Sequence, residues 1–150
     1  MPSTDKILFI CTANYYRSRF AEMYFNHLAG AHGIDLRADS AALEMARWRT
    51  YNPGELSVHA IRELNRLGIQ VPEPYRAPKQ FEPVMLGQFA RCIALSEAEH
   101  RPMATRLFPQ AAEQFEYWTV EDVEFEAPVS ALARIQQNVQ RLVGELNDAR

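Results

Sequence analysis

Apolar residues in this chain fall in blocks whose period changes from one stretch to the next. Residues 7–11, Ile-Leu-Phe-Ile-Cys, are continuously apolar with no helical period, as expected of a strand buried on both faces of a parallel sheet. A polar turn follows over 12–18. From Ser18 the core-facing spacing is Phe20, Met23, Tyr24, His27 and Leu28, which is that of an amphipathic helix, with Gly30 and Gly33 to end it. The chain therefore begins as strand, tight loop and helix.

A second strand is expected over 36–42, then irregular chain over 44–55 with Asn52-Pro53-Gly54 as a turn signal. Ser57 is placed to cap a helix whose buried face is Val58, Ile61, Leu64 and Leu67, closed by Gly68. Pro72, Pro74 and Pro78 mark a loop. A short helix is expected within 79–88, a buried strand over 91–96, a helix over Glu97–Leu107 and a last strand over 115–120. Pro128 opens a final helix with Val129, Leu132, Ile135, Val139, Leu142 and Leu146 on its buried face.

Strands alternating with helices predict an α/β fold. The expectation is a single domain over 1–150 in three layers. Its core would be a twisted, parallel, four-stranded sheet with helices on both faces, the polar loop following the first strand. No repeat, low-complexity tract or linker interrupts it. Ligands of such sheets sit at the carboxyl ends of the strands, and Cys11 stands at one.

Composition narrows the class. Of 150 residues, 47 % are hydrophobic and 23 % charged, ordinary for a soluble domain. No apolar run approaches the ~20 residues of a membrane span, and the short polar start does not resemble a signal peptide. The expected location is the cytoplasm, with no membrane partner. A net charge of −3 argues against a general nucleic-acid binder. Cys11 and Cys92 do not make a disulfide framework. His27, His32, His59 and His100 lack metal-ligand spacing, so no metal is expected and each reads as a surface or half-buried structural histidine.

The chemistry concentrates at Cys11-x5-Arg17-Ser18. Between a strand and a helix, such a loop can turn successive backbone N–H groups toward one centre and form an anion nest. The helix N-terminus adds N–H donors and a positive dipole end, and Arg17 can grip two phosphate oxygens with its planar fork. The same field favours a Cys11 thiolate, a nucleophile held beneath a bound phosphate. Residues Thr12, Ala13, Asn14, Tyr15, Tyr16, Arg17 and Ser18 are thus the candidate phosphate binders. The bland alternative is a buried strand-end cysteine beside a solvent-facing arginine.

Cys11-Thr-Ala-Asn-Tyr-Tyr-Arg-Ser18 followed by Ala21-Glu22 resembles the signature of the low-molecular-weight phosphotyrosine phosphatases, whose fold thioredoxin-coupled arsenate reductases share. The resemblance extends over nearly the whole chain: Asp39-Ser-Ala-Ala42, Leu67-Gly-Ile69, Arg76, Ile93 to Leu95, and Trp118-Thr-Val-Glu-Asp122. It implies Cys11 as nucleophile, Arg17 as phosphate clamp, and Asn14 as the loop-shaping residue supported by Ser40. Ser18 would steady the leaving thiolate, and Asp122 would be the general acid. The chain departs from the family at Ala13 (usually glycine), Tyr16 (usually a second cysteine), Arg19 (usually proline) and Ser96 (usually acidic). Asp122 also lacks its usual following proline. If the Ala13 position requires positive φ, alanine there costs about 1 kcal/mol.

Glu121 and Glu124 could substitute for Asp122, or all three could belong to a solvated acidic stretch over 121–126. Tyr15, Trp48 and Tyr51 are candidates to line the mouth of the site and stack on an aromatic substrate; packing is the alternative role. Cys92 reads as a small core residue. The expected activity is a cysteine-dependent phosphatase acting on phosphotyrosine in proteins or on small aryl phosphates. It would release inorganic phosphate through a phospho-cysteine intermediate on Cys11, without a cofactor. The alternatives are an arsenate reductase using an external thiol and a non-catalytic phosphate- or phosphoprotein-binding module.

Overall fold

The computed structural model describes residues 6–119 and 128–149, with backbone only for 128 and 129. Strand β1 is Lys6–Cys11, followed by helix α1, Arg17–Ala31, strand β2, Arg37–Ala42, and a one-turn helix α2, Met45–Trp48. Helix α3 is Val58–Arg66, a 3-10 turn spans Pro83–Gly87, and strand β3 is Arg91–Ala94. Helices α4, Glu97–Leu107, and α5, Pro109–Ala112, precede the two-residue strand β4, Glu116–Tyr117, and helix α6, Pro128–Asp148, completes the order. The four strands form one parallel sheet in the order β2-β1-β3-β4.

Strand β1 is central and buried on both faces, which is why its sequence is unbroken apolar. Its side chains alternate between two cores. Ile7 and Phe9 join Phe20, Phe25, Leu64, Ile135 and Val139 beneath α1, α3 and α6. Leu8 and Ile10 join Phe81, Phe89, Ala104 and Ala111 on the side of α4 and α5. The fold is the expected three-layer α/β arrangement with the loop 12–16 directly after β1.

Differences from the sequence reading lie at element edges and on helix faces. Helix α1 buries Phe20, Ala21, Tyr24, Phe25 and Ala29, while His27 is exposed; the buried stripe is rotated toward the smaller and aromatic residues. Gly30 lies inside its last turn, and Gly33, at φ 68°, is the left-handed residue that follows. In α3 the cap is Ser57, whose hydroxyl accepts from the His59 N–H. Ala60 and Leu64 face inward, and Val58 is exposed in the first turn. The stretch 44–55 contains α2, and the helix expected within 79–88 is the 3-10 turn. The strand expected over 91–96 gives up Ser96 to cap α4, its hydroxyl accepting from Glu99 N–H at 3.4 Å. The strand expected over 115–120 reduces to β4 plus an isolated bridge between Ser96 and Thr119. His100 is fully buried, not a surface or half-buried histidine.

Candidate active site

Strand β1 brings Cys11 to the carboxyl edge of the sheet, where it is 3 % exposed. Its Sγ lies 2.9 Å from Ser18 Oγ in the first turn of α1. The intervening loop is fixed by one side chain. Asn14 adopts φ 54°, the only positive φ outside glycine among the described residues, and asparagine tolerates that region better than most residues. Ala13 is therefore not at a left-handed position, and the strain considered for it does not arise.

The Asn14 amide is fully buried and uses both donors and both acceptor positions. Nδ2 donates to Ser18 Oγ at 2.9 Å and Ser40 Oγ at 2.8 Å. Oδ1 accepts from Lys79 N–H at 3.1 Å and Arg76 Nη1 at 3.2 Å. Ser40 Oγ donates to Glu22 Oε1 at 2.5 Å and accepts from Arg76 Nη2 at 2.9 Å. Arg76 Nη2 also lies 3.0 Å from Glu22 Oε1. The support expected of Ser40 is present, and Glu22 and Arg76 extend it.

Arg17, the first residue of α1, is 4 % exposed and donates from Nη2 to Glu99 Oε2 at 2.8 Å. Thr12 Oγ1 donates to the same oxygen. His100 Nε2 lies 3.1 Å from it. Burial pushes the Glu99 carboxyl up, yet His100 and Arg17 outweigh that and hold it well below the usual carboxylate range. The sequence reading missed Glu99. The available signal was Ser96-x-x-Glu99, the Ser-x-x-Glu pattern of a capping box.

Arg19, which stands where the family usually has proline, is 1 % exposed. Its Nη1 donates to Glu55 O at 3.1 Å and approaches Asn14 O at 3.5 Å. Burial and the nearby Arg76 press its pKa down to about 10.

Tyr15 donates its hydroxyl to Pro53 O at 2.6 Å, while its own carbonyl accepts from Ser57 N–H at 3.0 Å. The loop is thereby stitched to the chain before α3, and burial raises the Tyr15 phenol. Trp48 and Tyr51 pair with each other at 6.0 Å between centroids, and Tyr51 is 75 % exposed. Tyr16 packs its ring against the core near His59 at 6.1 Å. Cys92 is buried, and burial pushes its thiol up to about 11. Asp122, Glu121 and Glu124 lie outside the described residues. Trp118, which follows β4, accepts from Glu97 N–H at the start of α4 at 2.7 Å.

The description Low molecular weight phosphotyrosine protein phosphatase matches residues 6–119. This chain belongs to that family. It is a cysteine-dependent phosphatase, with phosphorylated substrates and phosphate as product. The fold agrees with solved structures of low identity. Vibrio vulnificus Wzb in complex with benzylphosphonate is 18 % identical, with TM-score 0.78, 95 % of this chain and 99 % of that one covered. The low molecular weight protein tyrosine phosphatase from T. tengcongensis is 22 % identical, with TM-score 0.75 and the same coverage of 95 % and 99 %. YwlE arginine phosphatase from Geobacillus stearothermophilus is 21 % identical, with TM-score 0.71 and coverage of 96 % and 94 %. No curated protein matches the chain. Among the described residues, no helix of this family member is long and apolar enough to cross a membrane. No group of three His, Cys, Asp or Glu among them could hold a metal ion.

Proposed function

We propose that this phosphatase is a cytoplasmic, single-domain enzyme that hydrolyses phosphotyrosine or related aryl phosphate monoesters through a phospho-cysteine intermediate on Cys11. The observation that carries this reading is the Cys11 Sγ–Ser18 Oγ contact of 2.9 Å, set at the N-terminus of a 15-residue helix that begins with the buried Arg17. A thiolate there receives a hydrogen bond, the helix dipole and the guanidinium field together.

Arg17 and the amides of 12–18 hold the nonbridging oxygens, while Cys11 Sγ attacks phosphorus. The P–O ester bond breaks, its electron pair passes to the leaving oxygen, and Asp122 protonates that oxygen. Asp122 then takes a proton from water as the water oxygen attacks phosphorus. The S–P bond breaks and its electrons return to Cys11 as thiolate, with Ser18 donating to it. No metal or organic cofactor takes part in these steps. Tyr15, fixed by Pro53, offers an aromatic wall to an aryl substrate.

An internal relay for arsenate reduction needs a reactive second thiol, and Cys92 is buried with its thiol raised to about 11; reduction with an external thiol escapes that objection and is tested by thiol-dependent loss of arsenate. Arginine phosphatases share the fold, so phosphoarginine belongs in the same assay as phosphotyrosine. The deciding experiment is turnover of nitrophenyl phosphate, phosphotyrosine and phosphoarginine by wild type and Cys11→Ser. The variant should lose turnover while still binding vanadate or phosphate. Full activity in Cys11→Ser would overturn the mechanism, and a clear preference for phosphoarginine would overturn the substrate class.

A further inference from the structure

We propose that Glu99 is the positioning residue for Arg17, released for that task by His100; the proposal rests on the phosphatase reading above. Ser96-x-x-Glu99 has the sequence of a capping box, in which the serine hydroxyl accepts from the N–H three residues on and the glutamate reaches back to the serine N–H. Only half of that box is formed. Ser96 Oγ accepts from Glu99 N–H at 3.4 Å. The Ser96 N–H, which a capping glutamate would take, instead donates to His100 Nδ1 at 3.0 Å. An Nδ1 that accepts leaves the imidazole proton on Nε2, and Nε2 faces Glu99 Oε2 at 3.1 Å.

The histidine thus does the capping that Glu99 would have done, and the carboxylate turns outward to the phosphate loop. One oxygen, Oε2, meets Arg17 Nη2 at 2.8 Å, Thr12 Oγ1 and His100 Nε2. Thr12 opens the five-residue loop 12–16 and Arg17 follows it, so one carboxylate oxygen holds the residues at both ends of the loop. This answers a departure in the sequence. The residue after the central strand, usually acidic in the family, is Ser96 here, and the acid comes from one helical turn further along α4.

The expected signature separates orientation from binding. A carboxylate beside a phosphate dianion repels it, so Glu99 should weaken ground-state binding slightly while fixing the geometry needed in the transition state. Small misplacements of a clamp cost about 100-fold in rate. Glu99→Gln keeps the volume and removes the charge; Glu99→Asp keeps the charge and shortens the reach. Both should lower kcat per active site by about 10–100-fold, with active sites counted by stoichiometric alkylation of Cys11. Inorganic phosphate should bind Glu99→Gln as tightly as wild type or more tightly, measured by calorimetry. His100→Gln, whose carbonyl can still accept from Ser96 N–H, should lose less than His100→Leu.

A kcat within about twofold of wild type in both Glu99 variants would overturn the proposal. So would a loss of phosphate affinity matching the loss of kcat, which would make Glu99 a structural residue only. If wild type turns over no phosphate ester, the phosphatase reading fails instead. Phosphate affinities of wild type and Glu99→Gln would then still test the contact: tighter or equal binding supports it, weaker binding refutes it.

Discussion

Cys11 Sγ and Ser18 Oγ face each other at 2.9 Å across the phosphate loop, and Asn14 Nδ2 donates to the same hydroxyl at 2.9 Å. With its oxygen accepting from Asn14, the hydroxyl can direct its proton at a thiolate. Hydrogen bonds to charged groups contribute about 1.5–3 kcal/mol. Ser18→Ala should therefore slow release of the thiolate from the phospho-enzyme by about 10–100-fold. Stopped-flow turnover reads this; an unchanged rate would remove Ser18 from the mechanism.

Asn14 and Ala13 should both lose stability on substitution, by different amounts and for different reasons. Asn14→Ala removes four hydrogen bonds, two of them buried, and places alanine at φ 54°, which should cost about 3 kcal/mol or more and most of the activity. Ala13→Gly has no left-handed strain to relieve, so the extra freedom of the unfolded chain should lower stability by up to about 1 kcal/mol. Urea unfolding of the pair measures this, and a stabilised Ala13→Gly would show that the loop geometry is different.

Loss of the general acid should depend on the leaving group. Asp122→Asn is expected to slow phosphotyrosine hydrolysis by about 10²–10⁴-fold, and nitrophenyl phosphate less, since nitrophenolate departs with little help. Parallel rates for Glu121→Gln and Glu124→Gln decide the assignment: the graded loss marks the acid, wherever it falls.

Peroxide should inactivate the enzyme without easy rescue. Tyr16 packs into the core where relatives carry a second cysteine, and the Cys92 thiol is buried and raised to about 11. A sulfenic acid on Cys11 then has no neighbouring thiol to trap it and proceeds to irreversible acids. Activity recovered after peroxide and then dithiothreitol should be a small fraction; full recovery would contradict this.

The Glu99 ion pair has a defined acid limit. Its folded-state pKa lies well below the ordinary value of about 4.3. The stabilisation is therefore complete above that ordinary value and fades as pH falls toward the folded one. The stability gap between wild type and Glu99→Gln should stay constant from pH 8 to 5 and narrow below pH ~4. Urea titrations at four pH values measure it, and a gap that narrows between pH 8 and 5 would assign the effect to another group.

Periodicity carried most of the fold. Strand β1 and the start of α6 stand where their patterns put them, because a continuous apolar run and a proline at the first helical position are local signals, and α4 has its expected bounds. Strand β4 did not, since its two residues depend on pairing with Ile93 and Ala94 and not on their own preference. The loop ends, Cys11 and Arg17, were readable because strand, loop and helix are contiguous. Glu99, 82 residues from Arg17, and the burial of Arg19 were not, because a side chain's partner across the fold leaves no period in the sequence.

Asn14 binds Ser18, Ser40, Arg76 and Lys79, the farthest of them 65 residues along the chain. A ribosome-bound fragment ending before Lys79 therefore holds Cys11 but not the amide cradle's full anchorage, and one ending before Glu99 lacks the carboxylate on Arg17 as well. The thiol's full surroundings are therefore a late product of synthesis, complete only once Glu99 has been made, long after Cys11 itself.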